Sequence, residues 1–221
     1  MPTSQPEPVT PWTPPSVEEL DRLLPQYQID IMLGRGGMGA VYQGHQASLG
    51  RKVAIKVLPE HLIAGDAGDN HQYVERFKLE ARSMANLDHP AIISVYDFGQ
   101  TEVGNAFIVL EMLRGMTLRS RIRRHGALAP PAVADWLDPV LEGLKAAHRK
   151  GVIHRDIKPG NLLVNSEGTI RILDMGLARI KPPGPLAETA GTDQLTASGQ
   201  VMGTCDYMAP EQAEDPHGAD H

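Results

Sequence analysis

The sequence predicts an α+β chain in two unlike parts, a β-rich front followed by a helical region. Between Tyr27 and Val57, short runs of alternating apolar residues are separated by turn residues, the signature of an antiparallel meander. Across 131–150 the spacing changes: Val133, Trp136, Leu137, Val140, Leu141, Leu144 and Ala147 recur at helical intervals. A hydrophobic fraction of 41% over 221 residues is enough for one sizeable core or two small packed lobes.

The elements follow in order. Residues 1–15 hold Pro2, Pro6, Pro8, Pro11, Pro14 and Pro15 among polar residues and read as an extended tail. Ser16 to Leu24 reads as a short helix, with Ser16 as N-cap, Glu19 three residues on, and Pro25 as the stop. Three strands come next: Tyr27–Ile31, the run from Val41 to His45, and Lys52–Val57 after the turn at Leu49-Gly50-Arg51. Residues 70–87 read as a helix with Val74, Phe77, Ala81 and Met84 on one face. Strands are expected near Ile92–Phe98 and Ala106–Glu111. The helix over 131–150 ends at Gly151, and Pro139 inside it either kinks it or delays its start. Short strands follow near Leu162–Val164 and Ile170–Leu173. Residues 175–205 have no period, and so long a loop points to function.

Charge and cysteine usage exclude several classes. The formal net charge is −6, so there is no global basic footprint for nucleic acid. One local run, Arg119, Arg121, Arg123 and Arg124, reads first as a solvated helix face and second as a docking patch. Cys205 is the single cysteine, so an intrachain disulfide is impossible, which fits a reducing compartment. It reads as a small buried side chain or, secondarily, as a redox-sensitive thiol. The sequence shows neither an apolar run of membrane-spanning length nor a signal pattern, so a cytoplasmic location is expected.

Four motifs carry chemistry. The first runs from Gly34 to Val41 and reads G-x-G-x-x-G-x-V, through Gly36, Gly37 and Gly39. Glycine lets backbone N–H groups approach phosphates. A dinucleotide-binding turn would open a helix here, whereas a strand follows. Second, Val53-Ala54-Ile55-Lys56 puts a lysine on the third strand. Alone it would be a solvated cation. With Glu80 on the inward stripe of the next helix, it forms a pair able to hold α- and β-phosphates. Third, His154-Arg155-Asp156-Ile157-Lys158-Pro159-Gly160-Asn161 places three chemical groups on one loop. Asp156 can take or orient the proton of a substrate hydroxyl, Lys158 can neutralise a migrating phosphoryl group, and Asn161 can ligate Mg²⁺. The bland reading is a charged surface turn. Fourth, Asp174-Met175-Gly176 follows an apolar strand, where a carboxylate is placed to hold Mg²⁺ between phosphates. Ala209-Pro210-Glu211 closes the set.

In this order the motifs resemble the eukaryotic-like serine/threonine protein kinases of bacteria, over roughly residues 27–215. The resemblance implies a protein-kinase-like two-lobe fold. It comprises a tail and short helix at 1–26, an N-lobe at 27–110, and a hinge with the C-lobe and activation loop at 111–221. It implies ATP and Mg²⁺ as cofactors, and protein substrates bearing Ser or Thr. It also implies self-association for autophosphorylation, with no nucleic acid and no membrane segment in this stretch. ATP would lie under Leu33, Gly34, Gly36, Gly37 and Gly39, with Val41, Ala54 and Leu163 around the adenine ring. Glu111 and Leu113 would supply hinge backbone groups, with Leu110 as gatekeeper. Met84, Val95, Met175 and His154 would stack as a spine. Lys158 and Thr204 match the serine/threonine subclass, and Thr204 would serve the catalytic loop. Arg155 would pair with phosphate on Thr196 or Ser198. Met175 and Cys205 depart from the usual pattern. The family's later C-lobe helices would lie beyond His221, so Glu211 would lack its family partner. The stretch 1–221 would then be incompletely folded and poorly active by itself. A non-catalytic nucleotide-binding or interaction module is the competing reading, although Lys56, Asp156 and Asp174 are all retained.

Overall fold

The computed structural model describes residues 12–36, 39–59, 70–175 and 207–210. Helix α1 (Val17–Leu23) begins as its sequence requires. The Glu19 N–H donates to the Ser16 hydroxyl, and the Ser16 N–H donates to the Glu19 carboxylate, a complete capping box.

The meander forms a five-stranded antiparallel sheet: β1 (Gln28–Gly36), β2 (Gly39–Gln46), β3 (Arg51–Leu58), β4 (Val95–Gln100) and β5 (Ala106–Glu111), in the order β1-β2-β3-β5-β4. Strand β4 starts at Val95, later than the apolar run at Ile92 suggested, because Ile92 pairs elsewhere. Gly39 sits at φ +118°, and a Cβ there would lie 2.0 Å from the Val57 carbonyl oxygen, so β2 can turn in beside β3 only with glycine at this position.

The two-residue period of β3 divides the sheet between two cores. Val53, Ile55 and Val57 face outward and pack with Tyr42, Val109 and Phe107 against Leu20, Leu24 and Tyr27. Helix α1, which the sequence set apart from the sheet, is therefore the cover of its outer face. Tyr42 donates its hydroxyl to the Pro15 carbonyl, and the Ile29 N–H donates to Asp21, tying the strap down at both ends. On the inner face, Leu58, Ala106 and Ile108 meet Phe77, Ala81 and Met84 of α2 (Asn70–Ala85). These three are the predicted stripe; the Val74 side chain lies outside the described residues.

The second region holds β6 (Gly115–Thr117), α3 (Leu118–His125), α4 (Pro130–His148), β7 (Leu162–Asn165) and β8 (Ile170–Ile172). The three strands form an antiparallel sheet in the order β6-β7-β8. Helix α4 passes through Pro139 and starts at Pro130, so the proline does not delay it. Pro139 leaves the helix without one N–H donor. Helix α3 and β6 were not anticipated, because α3 has too few apolar residues for a periodic signal. It buries no residue, so its arginines form the solvated face that the sequence suggested.

Backbone hydrogen bonds join the two regions at Ile172. The Ile172 N–H donates to the Ala91 carbonyl at 2.7 Å, the Ile93 N–H donates to the Ile172 carbonyl at 3.1 Å, and Ile92 forms a parallel bridge to Ile172.

The packing of α1 predicts that Leu20→Ala, at a fully buried position, lowers unfolding free energy by about 2–5 kcal/mol. Leu79→Ala on the exposed side of α2 should change it by less than about 0.5 kcal/mol. Chemical denaturation of both variants checks this, and equal effects would mean that α1 is not part of the cooperative unit.

Candidate active site

Three parts of the chain converge on one set of charged groups: β3, the end of β8 and the loop between α4 and β7. Strand β3 brings Lys56, only 5% exposed, on the inner face beside Ala54. A buried ammonium needs a partner. It has one in Asp174, whose carboxylate lies 2.7 Å away at the end of β8. Asp174 takes a left-handed backbone (φ 54°), which turns the chain out of the strand there; aspartate tolerates this region better than most residues. The sequence pointed to Glu80 as the carboxylate for Lys56. The structure seats Asp174 against the lysine, and Glu80 sits half-buried on α2. Lys56 and Asp174 are too far apart in sequence for any local pattern to pair them.

The loop between α4 and β7 supplies the second charged pair. The Lys158 ammonium donates to both Asp156 oxygens, at 2.9 and 2.7 Å. The Asn161 amide donates to the Asp156 carbonyl at 2.8 Å and to its carboxylate at 3.0 Å. Asp156 and Asn161 are buried, so the carboxylate is fixed in direction as well as place. Arg155, directly before it, also takes a left-handed backbone (φ 62°).

His154 anchors this loop. It is 1% exposed, and its Nε2 lies 2.8 Å from the Leu173 carbonyl while its Nδ1 accepts the Asp156 N–H at 3.2 Å. Only the neutral imidazole with its proton on Nε2 serves both partners. The Leu173 N–H in turn donates to the Asn161 carbonyl. The loop and the residue before Asp174 are thus held by one network.

The roof and back of the cleft are apolar. A Cβ on Gly34 or Gly36 would meet nothing within 4 Å, so the folded chain has room for side chains where the sequence has none. Leu33 is 46% exposed at the end of β1. Ala54 pairs across the sheet with Leu110, Val41 with Lys56, and Val53 with Glu111. Leu163 lies on β7 between Thr117 and Arg171. A small pocket lies behind, lined by Met84, Ile93, Val95, Leu110, Asp174 and Met175 among others. Met175 at the departed position is 3% exposed, so methionine fills the apolar site well. Leu113 is half-buried beyond β5. Gly37, Thr196, Ser198, Thr204, Cys205 and Glu211 lie outside the described residues.

Sequence reading also missed the pair between Arg171 and Glu111. Arg171 on β8 lies 3.5 Å from the Glu111 carboxylate and donates to the Ile92 carbonyl. The available signal was a charged residue between Ile170 and Ile172 in a buried strand.

The chain matches the protein kinase domain over residues 27–220. It belongs to the protein kinase family. The kinase domain is 36% identical over 192 residues to the serine/threonine-protein kinase PknA of Mycobacterium tuberculosis, covering 85% of this chain and 41% of PknA. To PknL of the same species it is 38% identical over 190 residues, covering 86% and 44%. To a probable serine/threonine-protein kinase of Streptomyces coelicolor it is 37% identical over 201 residues, covering 90% and 28%. The kinase domain thus spans less than half the length of these relatives. No helix among the described residues is long and apolar enough to cross a membrane.

The buried His154 yields a pH prediction. Burial is the largest influence on its pKa and holds it below the ordinary imidazole value; the Leu173 carbonyl, Asp156 and Asp174 pull the other way. An unfolded histidine takes up a proton near pH 6.5, and the folded one only lower. The stability due to neutral His154 is therefore present above about pH 6.5 and lost as pH falls below it. Relative to His154→Phe, the natural chain should lose up to about 1.4 kcal/mol per pH unit below that point in urea melts. Parallel stability curves for the two proteins would refute it.

Proposed function

We propose that this protein transfers the γ-phosphoryl group of ATP to serine or threonine hydroxyls of other proteins. The observation that carries this reading is the buried Asp156 carboxylate, clamped by Lys158 and Asn161 within the same cleft as the Lys56–Asp174 pair. A substrate hydroxyl brought to Asp156 gives up its proton to the carboxylate as its oxygen bonds to the γ-phosphorus. The bond from that phosphorus to the bridging oxygen breaks, and ADP leaves with the electron pair. Lys158 offsets charge on the moving phosphoryl group, and Lys56 holds the α- and β-phosphates. The roof at Gly34 and Gly36 leaves room for these phosphates, and Gly37 and Gly39 belong to the same sequence motif. Adenine would lie among Leu33, Val41, Ala54 and Leu163, against the backbone of Glu111 and Leu113.

The residues present fit Mg²⁺. Asp174 and the side-chain oxygen of Asn161 are hard donors of the kind this ion takes. Among the described residues no group of three or more His, Cys, Asp and Glu could hold a metal alone. That suits an ion that keeps several waters and shares its shell with phosphates. When bound, Mg²⁺ would neutralise charge on the β- and γ-phosphates. A non-catalytic nucleotide-binding module would have no use for a buried carboxylate oriented by a lysine and an asparagine.

In the full-length protein, Lys56→Met, Asp156→Asn and Asp174→Asn should each cut phosphoryl transfer from labelled ATP by about a hundredfold or more. Asp156→Asn should leave ATP affinity nearly intact, whereas Asp174→Asn should weaken its Mg²⁺-dependent part. Near-normal turnover in Asp174→Asn would sink the metal assignment. We also propose that phosphate on Thr196 or Ser198 switches the enzyme on through Arg155, because the added charge of about −1.5 to −2 suits a guanidinium. Mapping that found phosphate only outside residues 176–208, with activity unchanged by phosphatase, would reject the switch.

A further inference from the structure

The sequence from Met112 to Ala134 contains Arg114, Arg119, Arg121, Arg123 and Arg124 and neither Asp nor Glu, in a chain whose net charge is −6. Helix α3 concentrates four of these arginines beside the catalytic loop. Two of them have structural explanations. The Arg121 guanidinium lies 5.0 Å from the Trp136 ring centre, and Trp136 is itself fixed by its bond to the Gly168 carbonyl. Arg124 is in the last turn, where a cation complements the helix dipole.

Arg119 has no such explanation. It is the second residue of α3, just past the Thr117 cap, where the dipole disfavours a cation. It is exposed and makes no ion pair or hydrogen bond among the described residues. Its Cδ would lie 4.0 Å from a Cβ on Gly160, with Lys158 Cε at 3.9 Å on the same glycine. The Arg119 side chain therefore passes beside the loop that carries Asp156, Lys158 and Asn161. Arg123 follows one turn later on the same face.

We propose that α3 reads acidic residues near the acceptor hydroxyl of the protein substrate, with Arg119 as the reading side chain. This rests on the phosphotransfer reading above. A polypeptide that presents its hydroxyl to Asp156 must pass beside Gly160. Each further residue advances an extended chain by about 3.3 Å, so a carboxylate a few residues from the acceptor falls within reach of Arg119. The absence of a side chain at Gly160 leaves that path open. The small size of the basic face, on an otherwise acidic chain, favours a peptide over nucleic acid or a lipid surface.

The test uses the full-length protein and three serine peptides identical except that the flanking residues are Glu, Gln or Lys. The expected kcat/KM falls in that order, by about tenfold between Glu and Gln. Arg119→Glu should invert the preference between Glu and Lys peptides, and Arg119→Lys should keep it. Arg124→Glu, about 140° away around the helix, should also keep it. Equal kcat/KM on the three peptides, or an unchanged preference in Arg119→Glu, overturns the proposal. So does a flat peptide preference accompanied by Arg119-dependent binding to single-stranded DNA or phosphatidylserine vesicles. Transfer to none of the peptides, with ATP bound, would instead overturn the phosphotransfer reading.

Discussion

Everything in the site hangs on the backbone seam at Ile172. Two hydrogen bonds and a parallel bridge tie β8 to the segment between α2 and β4. The next residue, Leu173, receives His154 on its carbonyl and gives its own N–H to Asn161. His154 then receives the Asp156 N–H. A continuous run of bonds thus leads from the five-stranded sheet to the carboxylate that would meet the substrate. Displacement of β8 would move Asp174, Asn161 and Asp156 together.

The cleft also balances its own charge. Two lysines and two aspartates sit within it as pairs, and each buried member is satisfied by its opposite. This offsets part of the desolvation cost that four separate ions would carry. Under the proposed function, Lys56 would exchange Asp174 for phosphate and Asp174 would exchange Lys56 for the metal. The site need not create charge to bind charge.

Much of this was legible in the sequence, because phosphoryl transfer needs unusual residues at close spacing. The glycine run, Asp156 with Lys158 and Asn161, and Asp174 after an apolar strand all lie in short windows. The third strand was equally readable and carried Lys56, while the alternation that turns this lysine inward appears only in the folded sheet. The illegible parts were long-range or weakly patterned. The Lys56–Asp174 pair and the Arg171–Glu111 pair join distant segments. Helix α3 hid because its arginines mask any apolar period. The role of α1 was invisible because a capping box shows where a helix starts, not what it covers.

Helix α1 separates two meanings of a domain. The stretch shared with other protein kinases begins at Tyr27. The outer apolar face of the sheet, however, is closed by Leu20 and Leu24, with Trp12 and Val17 at the margin. A polypeptide started at Tyr27 would inherit every recognisable kinase residue and still present a bare oily flank, prone to self-adhesion. What is inherited in common and what folds as one piece therefore have different first residues, and the few that lie between act as a sealant.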